Sequence, residues 1–313
     1  MDCDSQSGSL VADSEDNSRR SREPEDTEQE ETMAKFDERI GFLGGGNMAF
    51  AIGSGMVNRG LVKPSQILAS GPHLENLIRW KDIGSEITAD NEDVIIKCDI
   101  IFICVKPHIL EKCAAEIQRK HIRSIRDSDK LFVSVMAGIS IDVIEKHFYF
   151  IPQLKIIRSM PNTPMQVGEG CTVFSPGRYV TQHDVEKINT ILNSLGTAQE
   201  VPEKMINAFS AITGCGPAYI YTIIEALADG GVKQGIPKQT ALQVAAQMVY
   251  GTAKTVLETG KHPAVLRDEV CSPGGSTIAA VHELEKGGIR NIFINAVERA
   301  TVRSEELGQS NAD

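Results

Sequence analysis

Apolar residues are spaced in two ways along this chain, and the change falls near residue 200. From Arg39 onward, short apolar runs alternate with segments of helical spacing. RIGFL, SQILAS, SEIT, DIIFICVKP, KLFVSVMAG and QLKIIRSM read as strands. DIIFICVKP and KLFVSVMAG are apolar almost without interruption, as strands buried on both faces are. Between these runs, helical spacing covers about Asn47 to Arg59, HLENLIRWKDIG up to Gly84, NEDVIIKC, HILEKCAAEIQRK and SIDVIEKHF. The alternation predicts an α/β fold: a doubly wound, mostly parallel sheet with right-handed crossovers.

Beyond residue 200 the strand pattern stops. MINAFSAITG, PAYIYTIIEALADGGVKQG, KQTALQVAAQMVYGTAKTVLET, PAVLRDEV, STIAAVHELEKGG and IRNIFINAVERATVRSEEL all have helical spacing, with Gly and Pro between them. Several are apolar around most of their circumference, so they must be buried among other helices. Some 110 residues are few to hide them all. Packing against a second copy resolves this, and a homodimer is expected; a compact monomeric bundle is the alternative. The division predicted is an acidic tail over 1–37, an α/β domain over 38–200 and an all-helical domain over 201–313.

The net charge of −10 is concentrated at one end. Residues 1–38 hold 13 acidic and 4 basic residues, so the body is close to neutral and offers no basic stripe to nucleic acid. The tail is polar, nearly free of large apolar residues, and predicted to be disordered. It resembles neither a secretory signal nor an Arg-rich mitochondrial presequence, which favours the cytoplasm over mitochondria. Met33 offers an alternative start just before the folded part. The 7 cysteines form no CxxC pair and read as reduced thiols; the 7 histidines are scattered, and no metal site is expected. No uninterrupted apolar run approaches the about 20 residues of a membrane span.

Two glycine turns carry the chemistry. In FLGGGNMAFAIG, Gly44, Gly46 and Ala49 form a G-x-G-x-x-A pattern between a predicted strand and a predicted helix, the context in which it signals dinucleotide binding. Gly44 permits the tight turn, Gly46 lets a pyrophosphate approach the backbone, and Ala49 lets helix and strand pack closely. A plain glycine-rich connection is the alternative. Ser70 stands at the end of the second strand, where NAD-specific proteins carry an acid. Nothing there repels a 2′-phosphate, which favours NADPH over NADH, although no Arg follows at once to grip one. In CSPGGSTIAAVHELE, the pair Gly274–Gly275 places Ser276 and Thr277 in the first turn of a helix. Free amides there would seat a carboxylate, with a hydroxyl beside them. Ordinary helix capping is the alternative.

Taken together, GGGNMA, VKPH, RSMPNTP, GCGPAY, EALADGGVKQG and VCSPGGSTIAAVHELE make the chain, from about Arg39 to Leu307, resemble the pyrroline-5-carboxylate reductase family. The resemblance implies a Rossmann-like N-terminal domain and a C-terminal helical dimerisation domain. It implies NADPH- or NADH-dependent reduction of the imine of 1-pyrroline-5-carboxylate to L-proline. Gly44, Gly45, Gly46, Asn47 and Met48 would hold the pyrophosphate, with Ser70 and Asn91 near the adenosine ribose or its phosphate. Val105, Lys106 and Pro107 would line the nicotinamide, with Ala137 and Asn162 nearby. Ser272, Gly275, Ser276 and Thr277 would seat the substrate carboxylate, and the Thr277 hydroxyl would meet the ring nitrogen. Each active site would join the first domain of one chain to the helical domain of another, in a homodimer or a ring of dimers. Two departures stand out: Cys215 replaces a Ser, and Glu269 replaces an Asn, adding negative charge near an anionic substrate. The competing readings are a β-hydroxyacid-dehydrogenase-like oxidoreductase and a non-enzymatic NADP-sensing module.

Overall fold

A computed structural model of the chain describes residues 35–126 and 129–309. The tail expected over 1–37, with Met33, lies outside them but for its last three residues. The strands are β1 (Ile40–Leu43), β2 (Ile67–Ser70), β3 (Glu86–Thr88), β4 (Ile100–Ile103), β5 (Leu131–Ser134), β6 (Lys155–Met160), β7 (Gly170–Pro176) and β8 (Gly196–Glu200). The helices among and just after them are α1 (Asn47–Asn58), α2 (Ile78–Asp82), α3 (Asn91–Lys97), α4 (Leu110–Arg126), α5 (Ile141–His147) and α6 (Gln182–Ser194). Then come α7 (Ile206–Thr213), α8 (Gly216–Lys233), α9 (Lys238–Thr259), α10 (Pro263–Glu269), α11 (Ser276–Lys286) and α12 (Ile289–Gln309).

All eight strands join one sheet in the order β3-β2-β1-β4-β5-β6-β7-β8. Neighbours are parallel except β6 and β7. The central strands are buried on both faces, and alternate side chains go to opposite cores. Phe42, Phe102, Val133 and Ile157 join Ile52, Trp80 and Ile188 from α1, α2 and α6. Leu43, Ile101, Phe132 and Ile156 join Val94, Ala114 and Ile144 from α3, α4 and α5. Helices therefore cover both faces, as double winding requires. The sheet edges, β3 and β8, are short and partly exposed, which limits edge-to-edge pairing.

The elements predicted from the apolar pattern of the sequence do not include β7, α6 or β8, which follow the loop after β6. Helix α6 begins with a reciprocal cap: the Thr181 amide donates to Asp184 Oδ2 at 2.9 Å, and the Asp184 amide donates to Thr181 Oγ1 at 3.2 Å. Lys155 of β6 closes on the same carboxylate at 3.0 Å, fastening the helix to the sheet.

The helical part grows from the sheet through α7. Ile206 packs with Val173 of β7 and with Val201, and Met160 and Phe209 flank them. Arg158 of β6, 4% exposed, donates to Glu203 at 3.2 Å and to Asn207 at 2.8 Å. Glu203 also accepts the Ile141 amide at the start of α5 at 2.7 Å. At the far end, α12 lies against the turn after β5. A Cβ added to Gly138 would stand 3.0 Å from the Ser304 carbonyl, and one on Gly308 would stand 2.5 Å from that of Gly138. The remaining helices bury little: Ala228 in α8, Ala241 and Ala245 in α9, and no residue of α10 or α11. Tyr221, Val244, Leu257 and Ile294 are each at least 60% exposed. The stretch Glu203–Lys233 is long and apolar enough to cross a membrane, by length and composition alone, but the chain divides it into α7 and α8.

Candidate active site

Strands β1, β4, β5 and β6 are parallel, so they end on one edge of the sheet. The loops after them carry Gly44–Met48, Val105–Pro107, Ala137 and Asn162. β1 and β4 are adjacent, and from this pair the strand order runs outward in both directions. This is the switch point where open α/β sheets hold ligands. Gly44 makes the turn there at φ +93°, in the left-handed region that disfavours side chains. A Cβ on it would lie 3.1 Å from the backbone of Cys104 and Val105, so the β1 and β4 turns touch directly.

Gly46 caps α1 with no side-chain hydrogen bond. The first helical bond runs from the Phe50 amide to the Gly46 carbonyl at 2.9 Å. The amides of Asn47, Met48 and Ala49 therefore have no acceptor within the helix and are free for an anion. A Cβ built on Gly46 meets nothing within 4 Å, whereas one on Gly45 would lie 2.4 Å from Leu77 Cδ2 and 2.9 Å from Trp80 Nε1. Gly45 is thus closed by protein, and Gly46 faces open space suited to a phosphate group. Ala49 is fully buried, which lets α1 sit close on the sheet. The residues present fit a dinucleotide.

At the end of β2, Ser70 is fully buried. Its hydroxyl lies 3.1 Å from the Phe42 carbonyl and 2.7 Å from Asn91 Oδ1, and its own carbonyl accepts the Gly45 amide at 2.8 Å. The structure brings Ser70 and Asn91 together, and Ser70 holds the first glycine turn by its backbone. Asn91 Nδ2 reaches Glu116 at 3.4 Å. Sequence reasoning passed over Arg79 of α2, which donates to Asn47 Oδ1 at 2.9 Å and to the Gly45 carbonyl at 3.2 Å. No local pattern signals it, because the contact depends on α2 folding back over the turn.

Lys106 is exposed and precedes a 3-10 turn, Pro107–Ile109; its carbonyl accepts the Ile109 amide at 2.8 Å. Ala137 is exposed. Asn162 is 7% exposed and bonded at both ends of its amide: it donates to the Thr213 carbonyl at 3.0 Å and accepts the Cys171 amide at 2.9 Å. It borders a largely apolar cavity of about 470 Å³ between the loop after β6 and helices α7, α8 and α12, shared with Thr213, Tyr219, Tyr221 and Phe293. The Tyr219 hydroxyl is buried without a nitrogen or oxygen partner, and burial, then the neighbouring Cys215, raises its pKa. The thiols at Cys98 and Cys113 are pushed up to about 12, chiefly by burial, so both stay protonated and inert. Among the described residues no cluster of His, Cys, Asp or Glu could hold a metal ion.

The second glycine turn has its own logic. Ser272 to Gly275 is a tight turn closed by the Gly275 amide on the Ser272 carbonyl at 3.0 Å. Pro273 enters it, and Gly274, at φ +68°, takes the position that demands a left-handed residue. A Cβ on Gly275 would lie 2.5 Å from Ser272 Oγ. Helix α11 then starts at Ser276 with no side-chain cap, leaving the first amides free beside Thr277. Ser272 and Ser276 are exposed and Thr277 is half-buried. Within one chain no hydrogen bond joins this turn to the first, and α11 packs mainly on α12. The charge added by Glu269 is met by Lys261 Nζ at 2.6 Å, so the expected repulsion of an anionic substrate is offset locally.

Residues 203–307 match the family model for pyrroline-5-carboxylate reductase dimerisation, and residues 39–138 match that for NADP oxidoreductase, coenzyme F420-dependent. The chain is 40% identical over 281 residues to pyrroline-5-carboxylate reductase 2 of Homo sapiens, covering 88% of this chain and 85% of that protein. It is 41% identical over 273 residues to pyrroline-5-carboxylate reductase of Arabidopsis thaliana, covering 87% and 96%. Its fold is similar, with a TM-score of 0.78, to the crystal structure of Plasmodium falciparum pyrroline carboxylate reductase with NADP bound. That protein is 32% identical, and the match covers 87% of this chain and 98% of the other.

Proposed function

The chain belongs to the pyrroline-5-carboxylate reductase family, and from that premise we infer that it reduces the imine of 1-pyrroline-5-carboxylate to L-proline with NAD(P)H. The observation that carries this reading is the first glycine turn, whose free amides and open Gly46 fit a dinucleotide at the switch point of the sheet. Neither a β-hydroxyacid dehydrogenase nor a cofactor-sensing module is favoured by the relatives.

When bound, the reduced dinucleotide supplies the hydride. The remaining work falls to the protein. The first turn, with Val105–Pro107 beside it, orients the nicotinamide, and the amides of α11 seat the substrate carboxylate. The Thr277 hydroxyl positions the ring nitrogen and steadies its change of charge. The imine nitrogen is basic enough to take its proton from solvent, so a site of hydroxyls and amides suffices without a His–carboxylate pair. Lys106 serves through its backbone at the end of β4.

Both turns are needed in one site, and we assign them to different subunits of a homodimer. Support comes from the apolar faces of α8, α9 and α12 left exposed by one chain, and from the dimerisation match over those same helices. A second copy accounts for the apolar stretch Glu203–Lys233 better than lipid does. The first test is oxidation of NADPH on addition of pyrroline-5-carboxylate, with a β-hydroxyacid control; no oxidation above the control would end the reading. The second is co-expression of a Gly46→Trp chain with a Thr277→Ala chain. Shared sites regain activity in the mixed dimer, because one of its two sites is then intact; sites built within single chains regain none.

A further inference from the structure

Among the described residues, Arg79, which faces the first glycine turn, has no counter-ion. Arg39, Arg158 and Arg178 each meet a carboxylate. Arg79 meets only neutral oxygens, Asn47 Oδ1 and the Gly45 carbonyl, and its guanidinium lies 4.6 Å over the Phe50 ring. Its Nε is buried and donates to nothing. Burial lowers its pKa, and no acid opposes that shift. A guanidinium partly removed from water, with donors to spare and no anion, is in an unfavourable setting unless an anion arrives. Its position makes the source plain. Asn47, which it holds, is the first residue of α1, whose free amides already form an anion seat beside open Gly46. No arginine follows Ser70 directly, but nine positions on the chain has folded back far enough for Arg79 to reach the turn.

We propose that Arg79 grips a phosphate of the dinucleotide, through its unused donors, and supplies the positive charge that the segment just after β2 lacks. The inference rests on the reading of the first turn as the nucleotide site. Two phosphates present the same chemistry there, the pyrophosphate and the 2′-phosphate of the adenosine ribose, and they are told apart by comparing ligands.

Trp80, the only tryptophan in the chain, is fully buried and donates to the same Gly45 carbonyl at 3.0 Å, so its emission reports on the turn without any turnover. NADPH, NADH and 2′-phospho-ADP-ribose are titrated against wild type, Arg79→Gln and Arg79→Lys, at low and raised salt. In Arg79→Gln, NADPH affinity should fall at least about ten-fold, the scale of one charge-assisted bond, and depend less steeply on salt. Arg79→Lys, which keeps the charge, should recover some of the loss. An equal loss for NADPH and NADH places the guanidinium on the pyrophosphate; a loss confined to the 2′-phosphorylated ligands places it on the 2′-phosphate. Arg79→Gln with wild-type affinity for all three ligands overturns the proposal. So does a loss that Arg79→Lys shares in full, with a lowered unfolding midpoint, which marks a packing role. Failure of wild type to bind any ligand refutes the reading of the turn itself.

Discussion

Gly45 and Gly46 are neighbours with opposite surroundings, and substituting each by alanine separates space needed for folding from space needed for the ligand. At Gly45 the new methyl would press on Leu77 and Trp80 at 2.4 and 2.9 Å. Overpacking of that kind costs about 1–3 kcal/mol. At Gly46 the methyl meets no atom within 4 Å, and φ −70°, ψ −170° suits any residue. Alanine is the poorer helix cap by about 0.5–1 kcal/mol, but it restricts the unfolded chain by about 0.4–1 kcal/mol, so the two effects nearly cancel. Gly46→Ala should therefore unfold in urea at the wild-type midpoint, followed by Trp80 emission. The same methyl holds a phosphate off the amides of Asn47 and Met48. Losing one charge-assisted hydrogen bond of about 1.5–3 kcal/mol weakens NADPH roughly ten- to hundred-fold. Gly45→Ala should show a lowered midpoint. Full NADPH affinity in Gly46→Ala would refute the reasoning, since no phosphate could then approach Gly46. A midpoint lowered as far as that of Gly45→Ala would also refute it.

Three further outcomes are expected. Thr277→Ala should lower turnover by about ten-fold or more, the loss of a site hydrogen bond, while Trp80 titration shows NADPH binding unchanged; unaltered kinetics would remove Thr277 from the reaction. Lys261→Met should leave Glu269 uncompensated just ahead of the Ser272–Gly275 turn. Because the pair is half exposed, the KM for pyrroline-5-carboxylate should rise only about two- to five-fold, and Lys261→Met with Glu269→Gln should restore it; no rise in the single variant would show that Glu269 is too distant to matter. Burial raises the pKa of Asp184, but hydrogen bonds from Thr181 and the charge of Lys155 outweigh it and leave the carboxyl below its usual value. Its contribution is present above the unfolded pKa of about 3.9 and is lost as pH falls through the lower, folded value. Wild type should thus lose more stability on acidification below about pH 4 than Asp184→Asn, measured by urea midpoints; parallel acid curves would count against this.

Strands buried on both faces announce themselves, and β1, β4 and β5 were legible because nothing polar interrupts them. Gly44 and Gly46 were legible for a similar reason, since a strand precedes them and a helix follows. The loop after β6 hid more. β8 reads GTAQE, an edge with almost nothing apolar to bury, and β7 has an exposed Cys171 and places polar Thr172 and Ser175 among its buried positions. Helix α6 does carry a signal in the sequence, Thr181 three residues ahead of Asp184 and then Val185, Ile188, Ile191 and Leu192. Other features depend on the folded chain. Arg79 reaches the turn only once α2 lies over α1, and Glu269 finds Lys261 eight positions away at the other end of α10.

The paired glycines 138 and 308 carry a mechanical consequence. They bring main chain close to main chain where the last helix crosses the loop bearing Ala137, with the Leu307 Cβ beside them. A side chain at either position would therefore wedge the last helix off the sheet, so these two glycines guard the seat of the helical part.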